Sequence, residues 1–250
     1  MSRNFELLQN VGKSLEVFEP EVDGPVAQVS VSDDVTVPMR LEGVERDEIA
    51  KLINRVFLIG AESPRRVVFM GADAGTGCSR ICACAAEVLA ATAAGRSVCV
   101  VDANLRAPSL HEHFGLGNHE GLTEALLQGG AIRKYINRLA GDKLGLITSG
   151  APVDSWQTLL GSQQMQTRIS ELQREYDYVL MDVPSLSLCS DAVTLAKMSD
   201  GVILVVKAHA TRREVAQQVV RELKSANVSV LGAILNERRF PIPESLYQRL

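Results

Sequence analysis

From residue 66 onward the chain alternates two apolar patterns. Short, nearly continuous Val/Ile-rich runs fall at residues 66–70, 97–102, 145–148, 176–183, 201–207 and 228–236. Between them, at 79–94, 121–128, 163–174, 190–197 and 212–226, apolar residues recur at helical spacing. A short unbroken apolar run suits a strand buried on both faces. Interleaved with amphipathic helices, such runs predict an α/β fold: a predominantly parallel sheet with helices on both faces. Ligands of such sheets sit beyond the strand carboxyl ends, so the loops after Met70, Val101 and Met181 are expected to share one crevice. Ahead of the first strand, residues 44–58 predict a helix with Ile49, Leu52, Ile53, Val56 and Phe57 on its apolar side.

Residues 1–44 do not follow this pattern. They hold three basic residues against eight acidic ones, with prolines at 20, 25 and 38, and read as an acidic, largely irregular tail. Within the tail, Phe5, Leu8, Val11, Leu15 and Phe18 recur at helical spacing. That stripe is either a helix packed on its own core or a hook for a partner. Its acidity argues against an anionic membrane surface. Residues 45–240 form the expected folded domain and 241–250 a C-terminal tail.

Composition narrows the function classes. At 250 residues and 46% hydrophobic, the chain is long enough to bury one good-sized core. With 26 basic against 30 acidic residues, the net charge of -4 argues against nucleic acid held on a broad basic face. No apolar stretch approaches the roughly 18–20 residues that span a bilayer. The start, Met-Ser-Arg-Asn-Phe-Glu, lacks the basic-then-apolar order of a signal peptide, and a cytoplasmic chain without direct membrane insertion is expected. The five cysteines fall mostly in apolar runs and read as packing residues. Cys78 and Cys82 share a helical face, which makes a metal or redox site the alternative.

Chemistry concentrates after the first strand, in Ala72-Asp-Ala-Gly-Thr-Gly77-Cys78-Ser79. Phosphate-binding loops read G/A-x-x-x-x-G-K-S/T, and only the lysine is different here. Gly75 and Gly77, with Thr76 between them, let backbone N–H groups wrap a phosphate, and Ser79 stands where a Mg²⁺-binding hydroxyl belongs. Two further strands end in acids, Asp102 and Asp182, which complete a candidate metal shell directly or through water and are the candidate catalytic groups. The expected cofactor is Mg-ATP or Mg-ADP.

On these residues the chain resembles the cytoplasmic domain of bacterial tyrosine kinases of capsule and exopolysaccharide assembly, P-loop relatives of the MinD/ParA-type ATPases. The resemblance runs from about residue 48 to 237. The family reads D-x-D-x-R-x-P-x-x-H-x-x-F at its second loop, against Asp102-Ala-Asn104-Leu-Arg106-Ala-Pro108-Ser-Leu-His111-Glu-His-Phe114. Gly121-Leu-Thr-Glu-Ala-Leu126, Leu159-Leu-Gly-Ser162, Tyr176-Asp-Tyr-Val-Leu-Met-Asp182, Ser190-Asp-Ala192 and Leu231-Gly-Ala-Ile-Leu-Asn236 follow in the family order. The resemblance implies a kinase-like module acting on a membrane-embedded chain-length or co-polymerase partner. The lack of a spanning segment implies the separate form of the domain, recruited to the inner membrane face through that partner. Arg106 keeps its family position, toward a phosphate or a neighbouring subunit.

The departures concern the chemistry. Cys78 replaces the lysine that in the family neutralises the β/γ-phosphates, Asn104 replaces a second aspartate, and Arg80 replaces a threonine. Only Tyr247 follows Asn236, where the family carries a tyrosine-rich tail for autophosphorylation. The ring-forming motif Glu-x-x-Arg-x-x-Arg reads Glu48-x-x-Lys51-x-x-Asn54, so ring-type self-association is in question. The reading is a pseudokinase with weakened nucleotide binding and little phosphotransfer. One alternative is an active tyrosine autokinase in which Arg80 or Arg106 replaces the lysine. A positioning ATPase is disfavoured, because Asp73 stands where that kind carries an extra lysine. Cys78 at a helix start is also a candidate low-pKa, redox-sensitive thiol.

Overall fold

The computed structural model describes residues 44–59, 63–93, 95–139, 142–187 and 191–238. The stripe at 5–18, Cys189, Ser190 and the segment from 239 with Tyr247 lie outside the described residues.

Seven strands form: Arg66–Gly71 (β1), Val98–Asp102 (β2), Asn137–Leu139 (β3), Leu144–Ile147 (β4), Tyr178–Val183 (β5), Gly201–Lys207 (β6) and Val230–Asn236 (β7). They make one sheet in the order β3-β4-β2-β5-β1-β6-β7, parallel except for the antiparallel β3–β4 pair. Six of them are the expected apolar runs. The seventh, β3, has only three residues, Asn-Arg-Leu, at the sheet edge, and gave no apolar run to read.

The helices are Val44–Ile53 (α1), Cys78–Thr92 (α2), Leu110–His113 (α3), Leu122–Leu127 (α4), Trp156–Leu160 (α5), Gln163–Glu175 (α6), Asp191–Lys197 (α7) and Arg213–Ser225 (α8). Strand side chains alternate between two cores, as the period of two requires. Val68, Met70, Val101, Met181 and Leu204 pack with Leu122, Met165, Leu172, Leu195 and Leu223 of α4, α6, α7 and α8. Val67, Phe69, Val100, Leu180 and Ile203 pack with Ile53, Ile81 and Leu89 of α1 and α2. Both faces are therefore covered, and the two-sided sheet is observed. No described helix is long and apolar enough to cross a membrane.

One expected detail changes. The helix at 44–58 stays α-helical only to Ile53 and continues as a π-turn, Asn54–Leu58. That turn drives Phe57 into the core, edge-on to Tyr178 with ring centroids 5.6 Å apart. α5 begins at Trp156, and the Ser155 side chain before it makes no capping hydrogen bond.

The Gly121–Leu126 motif is structural. The buried Glu124 carboxylate accepts from the backbone N–H of Gly121 at 2.7 Å and of Ala151 at 3.2 Å, fastening α4 to the loop after β4. A Cβ on Gly121 would lie 2.2 Å from the Thr148 carbonyl oxygen and 2.6 Å from the Gly150 nitrogen. Both are backbone atoms that cannot move aside cheaply. Gly121→Ala should therefore cost about 3 kcal/mol or more of stability. Urea unfolding checks this: the midpoint should drop sharply, while Leu127→Ala, at a side chain 61% exposed, should leave it nearly unchanged.

Candidate functional site

β1 ends at Gly71, and the chain turns over the sheet edge before entering α2 at Cys78. Gly75 and Gly77 take φ of 68° and 77°, in the left-handed region that residues with a Cβ avoid. Gly77 also has no room for a side chain, since a Cβ there would sit 2.5 Å from Asn236 Nδ2. That amide donates to the Thr76 carbonyl at 2.8 Å, so the last residue of β7 clamps the loop from outside. The turn leaves the unpaired N–H groups of the first turn of α2, which carries Cys78, Ser79 and Arg80, open to an anion.

The loops after β1, β2 and β5 do share one crevice, a cavity of about 390 Å³. Gly75, Thr76, Gly77, Ser79 and Arg80 line it from the first loop, Asn104 and Arg106 from the second, and Asp182 from the third. Asp102 is not among its lining residues. This fully buried carboxylate turns back on its own loop, one oxygen accepting from Asn104 N–H at 3.2 Å. Its other oxygen accepts from Ser109 and Leu110 N–H at 3.1 and 3.0 Å. Burial raises its pKa to about 6 against the pull of those three N–H groups. These bonds make Asp102 an anchor for the second loop, one strand over from Asp182.

Asp182 is different. It is the register neighbour of Asp102 on the adjacent strand and is also fully buried, yet neither of its oxygens has a hydrogen-bond partner. Burial, then the Asp102 charge, pushes its pKa up to about 8. The Ser79 hydroxyl and Cys78 thiol approach closely enough to oppose that rise, but neither reaches hydrogen-bond geometry. A buried carboxylate with two unused oxygens, close to a serine hydroxyl on the wall of the same cavity, fits a divalent cation.

Cys78 is half-buried, and its thiol is pushed well above its ordinary pKa by burial and by Asp182. The expectation of a lowered pKa is therefore reversed: burial, with the Asp182 charge adding to it, favours the neutral thiol. Cys82 is fully buried and shifted the same way. Among the described residues no three His, Cys, Asp or Glu side chains converge on a metal position. Arg80 reaches the cavity wall, but its Nη2 lies 2.7 Å from Glu45 Oε2 of α1. Asp73 accepts from Ala74 N–H and from the Ser187 hydroxyl, tying the first loop to the third.

Sequence reasoning left out four members of the site: Asn236, Ser109, Ser185 and His113. Asn236 was visible as the polar end of an apolar run. His113 lines the cavity, and burial lowers its pKa with Arg80 adding to the effect.

Comparison with known proteins places these observations. A family model described as cellulose biosynthesis protein BcsQ matches residues 65–228. The chain is 32% identical to the tyrosine-protein kinase YwqD of Bacillus subtilis over 58% of this chain and 61% of that one. It is 28% identical to the succinoglycan biosynthesis transport protein ExoP of Rhizobium meliloti over 95% of this chain and 30% of that one. It thus spans less than two thirds of either relative. Among solved structures, the kinase domain of the Escherichia coli tyrosine kinase ETK superposes with a TM-score of 0.66 at 25% identity, covering 71% of this chain and 70% of that one.

Proposed function

The chain belongs to the family of the cellulose biosynthesis protein BcsQ, and from that premise we propose that it is a nucleotide-binding, tyrosine-kinase-like module of bacterial polysaccharide biosynthesis with weakened binding and little phosphotransfer. One observation carries the reading. At the position where the phosphate loop needs a cation, a neutral Cys78 thiol stands beside an unpaired, buried Asp182.

The rest of the loop suits a magnesium nucleotide. N–H groups of Gly75 to Ser79 would cradle phosphate oxygens, and the Ser79 hydroxyl with the Asp182 carboxylate would hold the metal. A bound magnesium nucleotide supplies the transferable phosphoryl group and screens its charge. Around it, Cys78 contributes no positive charge. A charge-assisted hydrogen bond is worth roughly 1.5–3 kcal/mol, so its loss weakens binding about ten- to a hundred-fold. Asn104 can accept a hydrogen bond but takes no proton, and its Oδ1 is directed to Ala107 N–H at 3.4 Å. A role beside a membrane-embedded chain-length or co-polymerase partner is supported by the similarity to a protein named for succinoglycan transport.

Incubation of the purified chain with Mg-ATP, alone and with its membrane partner, tests the reading. Phosphotyrosine should stay at background. Phosphotyrosine that disappears in Asp182→Ala would replace this reading with that of an active autokinase.

A further inference from the structure

Arg80 stands in an unfavourable place for a cation. It occupies the third position of α2, at the positive end of that helix's dipole, where a positive side chain is repelled unless an anion lies nearby. The anion is Glu45, 2.7 Å away in the first turn of α1, where the dipole of that helix favours a carboxylate. Both side chains are more than half exposed, at 53% and 59%, so the pair is weak and exchangeable. Arg80 also borders the phosphate cavity, with Ser79 beside it in sequence.

We propose that Glu45 acts as a built-in competitor for the nucleotide's phosphates: Arg80 serves either the α1 carboxylate or a bound phosphate, so filling the cavity releases the first turn of α1. The inference rests on the nucleotide-site reading above and adds a regulatory link between that site and α1. A phosphate carries more charge than a carboxylate and takes a guanidinium in a bidentate grip, so it wins the exchange. By linkage, whatever holds Glu45 on Arg80 weakens phosphate binding, and phosphate loosens the start of α1 by the same factor.

Titration of Mg-ADP into the wild-type chain, Glu45→Gln, Arg80→Ala and the double variant tests the link. Glu45→Gln should tighten binding about two- to five-fold, the strength of an exposed ion pair. Arg80→Ala should weaken it about ten-fold. In the Arg80→Ala background, Glu45→Gln should have no further effect, the signature of a shared partner. Amide hydrogen exchange in the second turn of α1, whose N–H groups bond the carbonyls of the first, should speed up with Mg-ADP in the wild type and be insensitive to it in Glu45→Gln. If Glu45→Gln leaves affinity unchanged, or tightens it equally without Arg80, the competition is overturned while the nucleotide site stands. If no variant binds Mg-ADP, both readings fall.

Discussion

Asp182→Asn should make the ligand-free chain more stable, by about 3 kcal/mol near pH 8 in the presence of a chelator, because it removes an uncompensated buried charge. The wild-type carboxylate is buried beside Asp102 with no donor on either oxygen. An amide in its place carries no charge to desolvate. The pH dependence has a definite sign. In the folded chain Asp182 keeps its proton up to about pH 8, whereas an ordinary unfolded aspartate gives it up near pH 4. Between those values the folded state binds the extra proton, so stability falls as pH rises through the window. Asp102, raised to about 6, adds to the same slope over the lower part. Urea unfolding at several pH values should show wild-type stability declining from pH 5 toward 8 and a flatter profile in Asp182→Asn. A wild-type stability that rises over this range would refute the assignment. The same substitution should abolish any magnesium dependence of nucleotide binding, a result that would mark Asp182 as a residue kept for a ligand at the expense of the fold.

Cys78→Lys should raise ATP turnover by about 10²- to 10³-fold over the wild-type background, the usual worth of one charge-stabilising group at a developing negative charge. The argument is local. The first position of α2 already points into the hollow, the turn before it is held by Gly75, Gly77 and the Asn236–Thr76 hydrogen bond, and Asp182 waits without a partner. A lysine there supplies the charge the loop lacks and pairs the orphaned carboxylate, so the pH slope of stability should flatten as well. Phosphate release from Mg-ATP measures the gain. A lysine variant no more active than the wild type would mean that Asn104 or another departure in the second loop disables the chemistry independently.

Most of the fold was readable because its strands are unbroken Val/Ile runs and its helices carry clear apolar stripes. The short edge strand β3 was not, since three residues with one apolar side chain give no period. Nor was the π-turn after Ile53, which keeps Phe57 on the apolar side at the expense of regular helix geometry. At the site, the glycines, Ser79 and Asp182 were legible from motif spacing. The loop-anchoring role of Asp102 was not legible, because a strand-ending acid looks the same whether or not it holds its own loop; the three N–H groups of Asn104, Ser109 and Leu110 reveal it. Asn236 was placed in the motif order, but its clamp on Thr76 joins residues 160 positions apart, a pairing that no local pattern encodes. Likewise the upward shift of Cys78 comes from burial and from a carboxylate on a distant strand, neither of which the loop's own residues encode.

The most direct measurement is isothermal titration of Mg-ATP into the wild-type chain and Cys78→Lys under identical conditions. The account predicts that the lysine variant binds at least about ten-fold more tightly, in line with one restored charge-assisted contact. Equal affinities, or tighter binding by the wild-type chain, would contradict the claim that this loop keeps the shape of a phosphate site and lacks the cation at position 78.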